Sequence, residues 1–177
     1  MSDGTKVTGR LTVLDVPGST PLFGADLERA LADGSARVDF VSMNLLVNNG
    51  LSTFSRLLGN NACTPLLGGA GFSTLADITV QTMQLGNTVS PAAPAAADTS
   101  GVGSLVFTPT LIVSYPTPYS VMFSGVVPQT ELIGTTITEE CLRLGNGLVF
   151  AKKAPLSILK TAASGKQFNH EVIFARG

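Results

Sequence analysis

The sequence predicts a mainly β protein: an antiparallel β-sandwich with one core-facing α-helix at about residues 48–58 and an extended N-terminal arm. Three observations carry this. From residue 105 onward, short apolar runs follow one another between Gly and Pro breaks: "LVFTPTLIVSYP", "YSVMFSGVVPQ", "TTITEECLRLG", "GLVFAKKAPLSILK" and "FNHEVIFAR". Between two of them, Gly145-Asn146-Gly147 supplies residues that tolerate the positive φ of a tight hairpin turn. One stretch, "MNLLVNNGLSTFSRLLGNN", has the three-and-four spacing of an amphipathic helix instead.

Taken in chain order, the first strand signal is "TGRLTVLDVPG". Leu11 and Val13 share one face with Asp15, and Thr12, Leu14 and Val16 share the other, so both faces are largely apolar. A strand of this kind is expected to be buried on both sides, in part by another subunit. "STPLFGADLERALADGSARV" follows, with Leu22, Leu27 and Leu31 near a short charged helical turn and Gly34 as its stop. Residues 1–40 are read as an arm or peripheral docking element, and residues 41–177 as the sandwich domain.

In the predicted helix, Asn48 or Asn49 caps the start, Leu51, Phe54, Leu57 and Leu58 form the stripe, and Gly59 ends it. "CTPLLGGAGFSTLADI" has too many glycines for a regular element. "ITVQTMQLGN" resumes as a strand over about 78–85. Residues 88–104, "TVSPAAPAAADTSGVGS", are rich in Pro and Ala with almost no large side chain, and are expected to be an exposed connection.

Composition narrows the function classes. The 177 residues suffice for one sizeable core. Lys and Arg total 11 against 12 for Asp and Glu, which leaves no excess of positive charge for a phosphate backbone, so direct nucleic-acid binding is not expected. Mean hydropathy is +0.34, high for a dissolved monomer, yet no apolar run approaches the roughly 20 residues of a spanning helix. Subunit interfaces are the natural place for that apolar excess. "MSDGTKVTGR" does not have the form of a secretory signal, and folding in the cytoplasm is expected. Cys63 and Cys141 lack the paired spacing of a zinc or redox motif and are expected to be free, buried thiols.

The groups able to carry chemistry each have a simpler reading. Glu139 and Glu140 are neighbours on a strand and point to opposite faces, so they do not form a proton-sharing pair; Glu139 is expected to pair with a basic residue or accept backbone hydrogen bonds. Cys141 with His170, the one histidine, would be a nucleophile and base only if folding joined them; an inert thiol and a satisfied imidazole are expected. Lys152 and Lys153 also face opposite ways, one of them guarding a sheet edge, with contact to an acidic neighbouring subunit as the alternative. "GNNACTPLLGGAG" lacks the Lys-Ser/Thr ending of a phosphate cradle, and no Asp/His/Cys cluster offers a metal site. No catalytic residue, cofactor or metal ligand is expected.

The order "NLLVNNGL", "MQLGN", "DTS", "FSGVVPQTELIGTTITEECLRLGNGLVFAKKAPLSILKT" and "FNHEVIFAR", over roughly residues 41–176, resembles a family of tailed-bacteriophage structural proteins found as tail fibre, tail collar, neck or baseplate components. The most recognisable section is "ITEECL" with "GLVFAKK" and "ILKT" behind it, which places Glu139, Leu142, Gly147, Lys160 and Thr161 on the family pattern. Cys141 departs from it, standing where the pattern commonly has glycine. The resemblance implies a non-enzymatic virion protein that oligomerises with copies of itself and contacts other virion proteins, with no membrane or nucleic-acid partner. Leu11, Val13, Leu14, Val16, Leu22 and Phe23 in residues 1–24, and Leu66, Leu67 and Phe72 in the loop 60–76, are the candidate interface residues. A host-receptor or carbohydrate-binding β-sandwich is the alternative. Against it, the chain has no Trp and two tyrosines, Tyr115 and Tyr119, both in "SYPTPYS".

Overall fold

The computed structural model describes residues 5–46 and 75–176. The predicted helix at 48–58, Cys63, Leu66, Leu67 and Phe72 lie outside them. The chain is mainly β, with antiparallel sheets and, among the described residues, one α-helix. In order the elements are β1 (Thr5–Val16), α1 (Gly24–Ala32), β2 (Arg37–Leu46), a 3-10 turn (Leu75–Ile78), β3 (Val80–Gly86), β4 (Leu105–Phe107), β5 (Ile112–Ser114), β6 (Ser120–Val127), β7 (Thr136–Ile137), β8 (Glu139–Leu144), β9 (Val149–Lys153), β10 (Ile158–Leu159) and β11 (Gly165–Arg176). Two compact units are formed: residues 1–44, 109–136 and 158–177 make the first, and residues 45–108 and 137–157 the second.

In the first unit the strand order is β2-β1-β11-β6-β5. β1 lies antiparallel to β11 along its whole length, from Thr5 opposite Arg176 to Val16 opposite Gly165, and on its other side it pairs with β2. The reading of residues 1–40 as an arm is therefore corrected: β1 is an interior strand. Its two apolar faces, expected to be buried in part by another subunit, are covered within the chain. Leu14 and Val16 pack with Ala30 of α1, Ala36 and Val126, while Leu11 and Val13 are fully buried on the opposite face. These four candidate interface residues are core residues instead.

α1 lies where the sequence placed its short charged helix. Leu27 packs on the Leu14–Val16 cluster, and the stop is at Gly34, whose φ of +79° a residue with a side chain rarely adopts. The turn closes through the Ala36 amide donating to the Ala30 carbonyl at 2.8 Å. Leu22 packs on the same cluster and is held from both sides of its peptide by the Gln167 amide, which accepts from the Leu22 N–H at 2.8 Å and donates to the Leu22 carbonyl at 3.0 Å. Phe23 is half-buried and forms the N-terminal boundary of α1. Both residues remain partly exposed.

The pairing of β2 with β1 steps by one residue: Val13 opposes Phe40 and Leu14 opposes Val38, leaving Asp39 as the extra residue of a bulge. Residues opposite each other on paired strands share a face, so Val38, Val41 and Met43, opposite Leu14, Thr12 and Arg10, all project on one side. An unbroken period of two would have put Val38 on the other side from Val41 and Met43.

The second unit has the order β4-β3-β8-β9, with the end of β2 pairing through Leu45 and Leu46 with β9. β3 matches the predicted strand at 78–85 apart from its start, where Ile78 belongs to the 3-10 turn. Met83, Leu85, Cys141, Leu142, Leu144, Val149 and Ala151 are buried, so β8 is covered on both faces. Gly147, with φ +84°, makes the predicted β8–β9 turn, and its amide donates to the Leu144 carbonyl at 2.9 Å.

Because β1 is interior, removing residues 5–16 is expected to abolish cooperative folding of the first unit, unlike loss of an arm. The milder change Leu14→Ala should cost about 2–5 kcal/mol. Urea denaturation followed by circular dichroism checks both.

Candidate functional site

The densest group of polar side chains on the sequence-predicted stretch surrounds Glu139, at the start of β8. Glu139 opposes Gly86 of β3. A Cβ at Gly86 would stand 2.8 Å from the Val102 Cβ and 3.0 Å from both Glu139 Oε2 and the Ser104 carbonyl, so a glycine here lets the segment after residue 100 lie directly on the sheet. With that space open, Glu139 Oε2 accepts from the Thr88 hydroxyl and from the Gly103 amide at 2.9 Å. Glu139 Oε1 lies 3.4 Å from Lys152 Nζ of β9, and Lys152 also donates to the Gly101 carbonyl at 3.1 Å.

Thr88 itself accepts from the Ser104 amide at 2.9 Å, and its carbonyl accepts from the Thr138 hydroxyl at 2.9 Å. Both ends of the segment 88–104 are thus tied to one buried carboxylate and one buried ammonium. The expectation for Glu139, a basic partner or backbone donors, is met twice over. The expectation that one of Lys152 and Lys153 guards a sheet edge is corrected: β9 is paired on both sides, with β8 and the end of β2, and Lys152 is buried. Residues 88–104 are largely exposed, as expected of a connection, and both their ends are in addition anchored by these hydrogen bonds.

Burial would raise the Glu139 carboxyl, but the Thr88 hydroxyl, the Gly103 amide and the Lys152 ammonium outweigh it and hold the group below its ordinary value of 4.5. A group depressed in this way stabilises the fold above its unfolded value, and the stabilisation is lost as pH falls through the lower folded value. Cys141, two residues along β8, has the opposite fate. Burial first, then the Glu140 charge, push its thiol up to about 12. A thiol that stays protonated at neutral pH is a poor nucleophile, and Cys141 packs against Val149 and Val102 as a small apolar side chain.

Two further charge clusters lie in the first unit. Lys166 is buried and 2.7 Å from carboxylate oxygens of both Asp15 and Asp39, the bulge residue, while Arg37 and Ser164 complete the shell of Asp15 at 2.9 and 2.7 Å. Burial would raise Asp15, and the hydrogen bonds from Lys166, Ser164 and Arg37 reverse it to below the usual 3.8. Lys160 is fully buried, and its ammonium donates to the carbonyls of Gln129 at 3.0 Å and Thr161 at 2.6 Å. Burial, and then repulsion from Lys166, lower its pKa. It holds the 129–135 turn beside β10, where the Gly134 amide donates to the Lys160 carbonyl and the Lys160 amide to Thr135.

Of the positions on the family pattern, Glu139, Lys160 and Gly147 make these internal contacts, Leu142 is buried core, and Thr161 is exposed, its hydroxyl accepting from the Ala163 amide. Thr88, Gly101 and Gly103 were missed. Their only sequence signal is "GVG", a large residue between two small ones at the end of a Pro/Ala run. Among the described residues no group of three or more His, Cys, Asp or Glu could hold a metal ion, and no helix is long and apolar enough to cross a membrane.

Neither family models, nor curated proteins, nor solved structures contain a match to this chain.

Removing only the cation, by Lys152→Met, leaves a buried carboxylate without its counter-charge and should cost about 3–5 kcal/mol. Glu139→Gln combined with Lys152→Met should cost less than Lys152→Met alone, because no uncompensated charge remains. Chemical denaturation of the two variants at pH 7 checks the order. The same measurement on the wild type from pH 7 to pH 2 should show stability flat above about pH 4.5 and falling below it as Glu139 and Asp15 protonate.

Proposed function

We propose that this protein is a non-enzymatic virion structural protein of a tailed bacteriophage, a collar, neck or tail component that assembles with copies of itself and with other virion proteins. The observation that carries the assembly reading is the bulged face of β2. Val38, Val41 and Met43 project together from the sheet and are 48%, 56% and 57% exposed. Three large apolar side chains this exposed on one strand face form a surface suited to subunit contact. The phage assignment rests on the ordered resemblance over residues 41–176. The burial of Glu139, Lys152, Lys160 and Lys166 in internal ion pairs and carbonyl contacts, and the high pKa of Cys141, favour a structural role for the groups that could otherwise carry chemistry.

This reading moves the interface. β1 supplies the core under the contact surface, and β2 supplies the surface itself. The partners are copies of this chain and other virion proteins, and the place of action is the particle.

One observation favours the recognition alternative. Tyr115 and Tyr119 are 76% and 70% exposed at the turn between β5 and β6, separated by Pro116, Thr117 and Pro118. Exposed aromatic faces held by prolines suit the apolar faces of sugar rings.

Light scattering on the purified chain should give a discrete oligomer, and Val41→Lys with Met43→Lys should shift it to monomer with the circular dichroism spectrum unchanged. A wild-type monomer at all concentrations would remove the self-assembly reading. Glycan binding abolished by Tyr115→Ala and Tyr119→Ala would then favour recognition.

A further inference from the structure

We propose that residues 88–104 are a strap, closed at its neck by Glu139 and Lys152, that opens and recloses as a unit while β3, β8 and β9 stay folded, and whose closure hides the Cys141 thiol. Among the described residues, the strap's attachments are concentrated at its two ends. Thr88 and Gly103 meet at one carboxylate oxygen, Gly101 is held by Lys152, and Ser104 bonds back to Thr88. The Asn87 amide donates to the Ser104 carbonyl at 3.0 Å, which brings the two ends within one hydrogen bond of each other.

Between the ends the chain has no regular element. The hydrogen bonds within it form one local turn, from the Ala95 amide to the Asp98 carboxylate at 3.1 Å and from the Asp98 amide to the Ala95 carbonyl at 3.0 Å. A surface loop with its ends together and little fixing its middle is a closed Ω-type loop, a common carrier of function. Among the described residues, its apolar anchor is Val102, which packs against the cluster of Cys141 and Val149. Among the described residues, lifting the strap breaks these polar bonds, the Val102 contact and the close approach of Gly101 to Gln84. The β3–β8 and β8–β9 ladders do not run through it. Segments with few buried apolar contacts open locally at a fraction of the global unfolding free energy.

The charges around the clasp make opening acid-sensitive in one direction. The groups facing Glu139 are Lys152 from β9 and the Thr88 hydroxyl and Gly103 amide from the strap; Glu140 and Arg143 lie along β8 near Cys141. Protonating Glu139 removes the charge that holds both strap ends. Since that carboxyl is depressed below 4.5, the strap stays shut through neutral pH and loosens only as pH falls below that value.

The test uses the full chain carrying Cys63→Ser, so that Cys141 is its only thiol, with an aromatic disulfide reagent as probe at pH 8. The reference is the rate of global unfolding measured on the same protein. Cys141 should be labelled faster than the chain unfolds, and Thr88→Val, which removes one clasp bond and keeps both charges, should raise the labelling rate about tenfold with little change in thermal midpoint. Labelling of both proteins only at the rate of global unfolding would overturn the proposal. If Thr88→Val does not fold, hydrogen exchange on the Cys63→Ser chain decides: amides 99–104 must exchange through a cheaper opening than those of β8 and β9, and an equal opening free energy for all three would sink the strap. Neither readout depends on oligomer formation, so the strap can fail while the assembly reading stands, and the reverse.

Discussion

Most of the first unit depends on the pairing of β1 with β11. These strands come from opposite ends of the sequence, and their antiparallel ladder runs unbroken from Thr5 opposite Arg176 to Val16 opposite Gly165. Closing so large a loop costs conformational entropy, and the cost is met by what the two strands bury. Leu11, Val13, Phe168 and Val172 are fully buried, and Leu14 and Val16 sit beneath α1. Once this ladder is in register, β2 and β6 are placed on its flanks, because a slip of one residue would exchange the two faces of every strand.

The polar interior follows a second rule. Glu139, Lys152, Lys160, Lys166, Gln167 and Asn169 are buried, and each meets charged, amide or carbonyl partners at short range. A buried ion pair seldom adds much stability over an apolar pair of equal volume, since desolvation offsets its attraction. What these groups supply is definition. Gln167 fixes where Leu22 crosses the sheet, Lys160 fixes the 129–135 turn, and the Glu139–Lys152 pair fixes where the 88–104 segment begins and ends. Segments poor in large apolar side chains, such as "SPAAPAAADTS", cannot be placed by packing and are placed by polar contacts at their ends instead.

The bulge at Asp39 links both themes. The extra residue gives Lys166 a second carboxylate and at the same time rotates the rest of β2, so that Val38 joins Val41 and Met43 on one exposed face. One local irregularity thus completes a buried charge cluster and creates the apolar surface on which the assembly reading rests.

The sequence by itself determined the β class, α1 with its stop at Gly34, β3, the β8–β9 turn at Gly147, the burial of Cys141 and the internal pairing of Glu139. Each of these is written in local spacing or in the steric needs of single residues, over a span of ten residues or so. It also determined that β1 is apolar on both faces. Only the tertiary structure decided what covers those faces, because an interior strand and a strand buried by a neighbouring subunit have the same pattern, and the difference lies in pairing with residues more than a hundred positions away. For the same reason the clasp could not be read in advance: Thr88, Gly101 and Gly103 carry no periodicity, and they acquire a role only where the chain returns to Glu139. The exposed face of β2 escaped the sequence too, since a bulge changes the phase of the alternation on which strand faces are assigned.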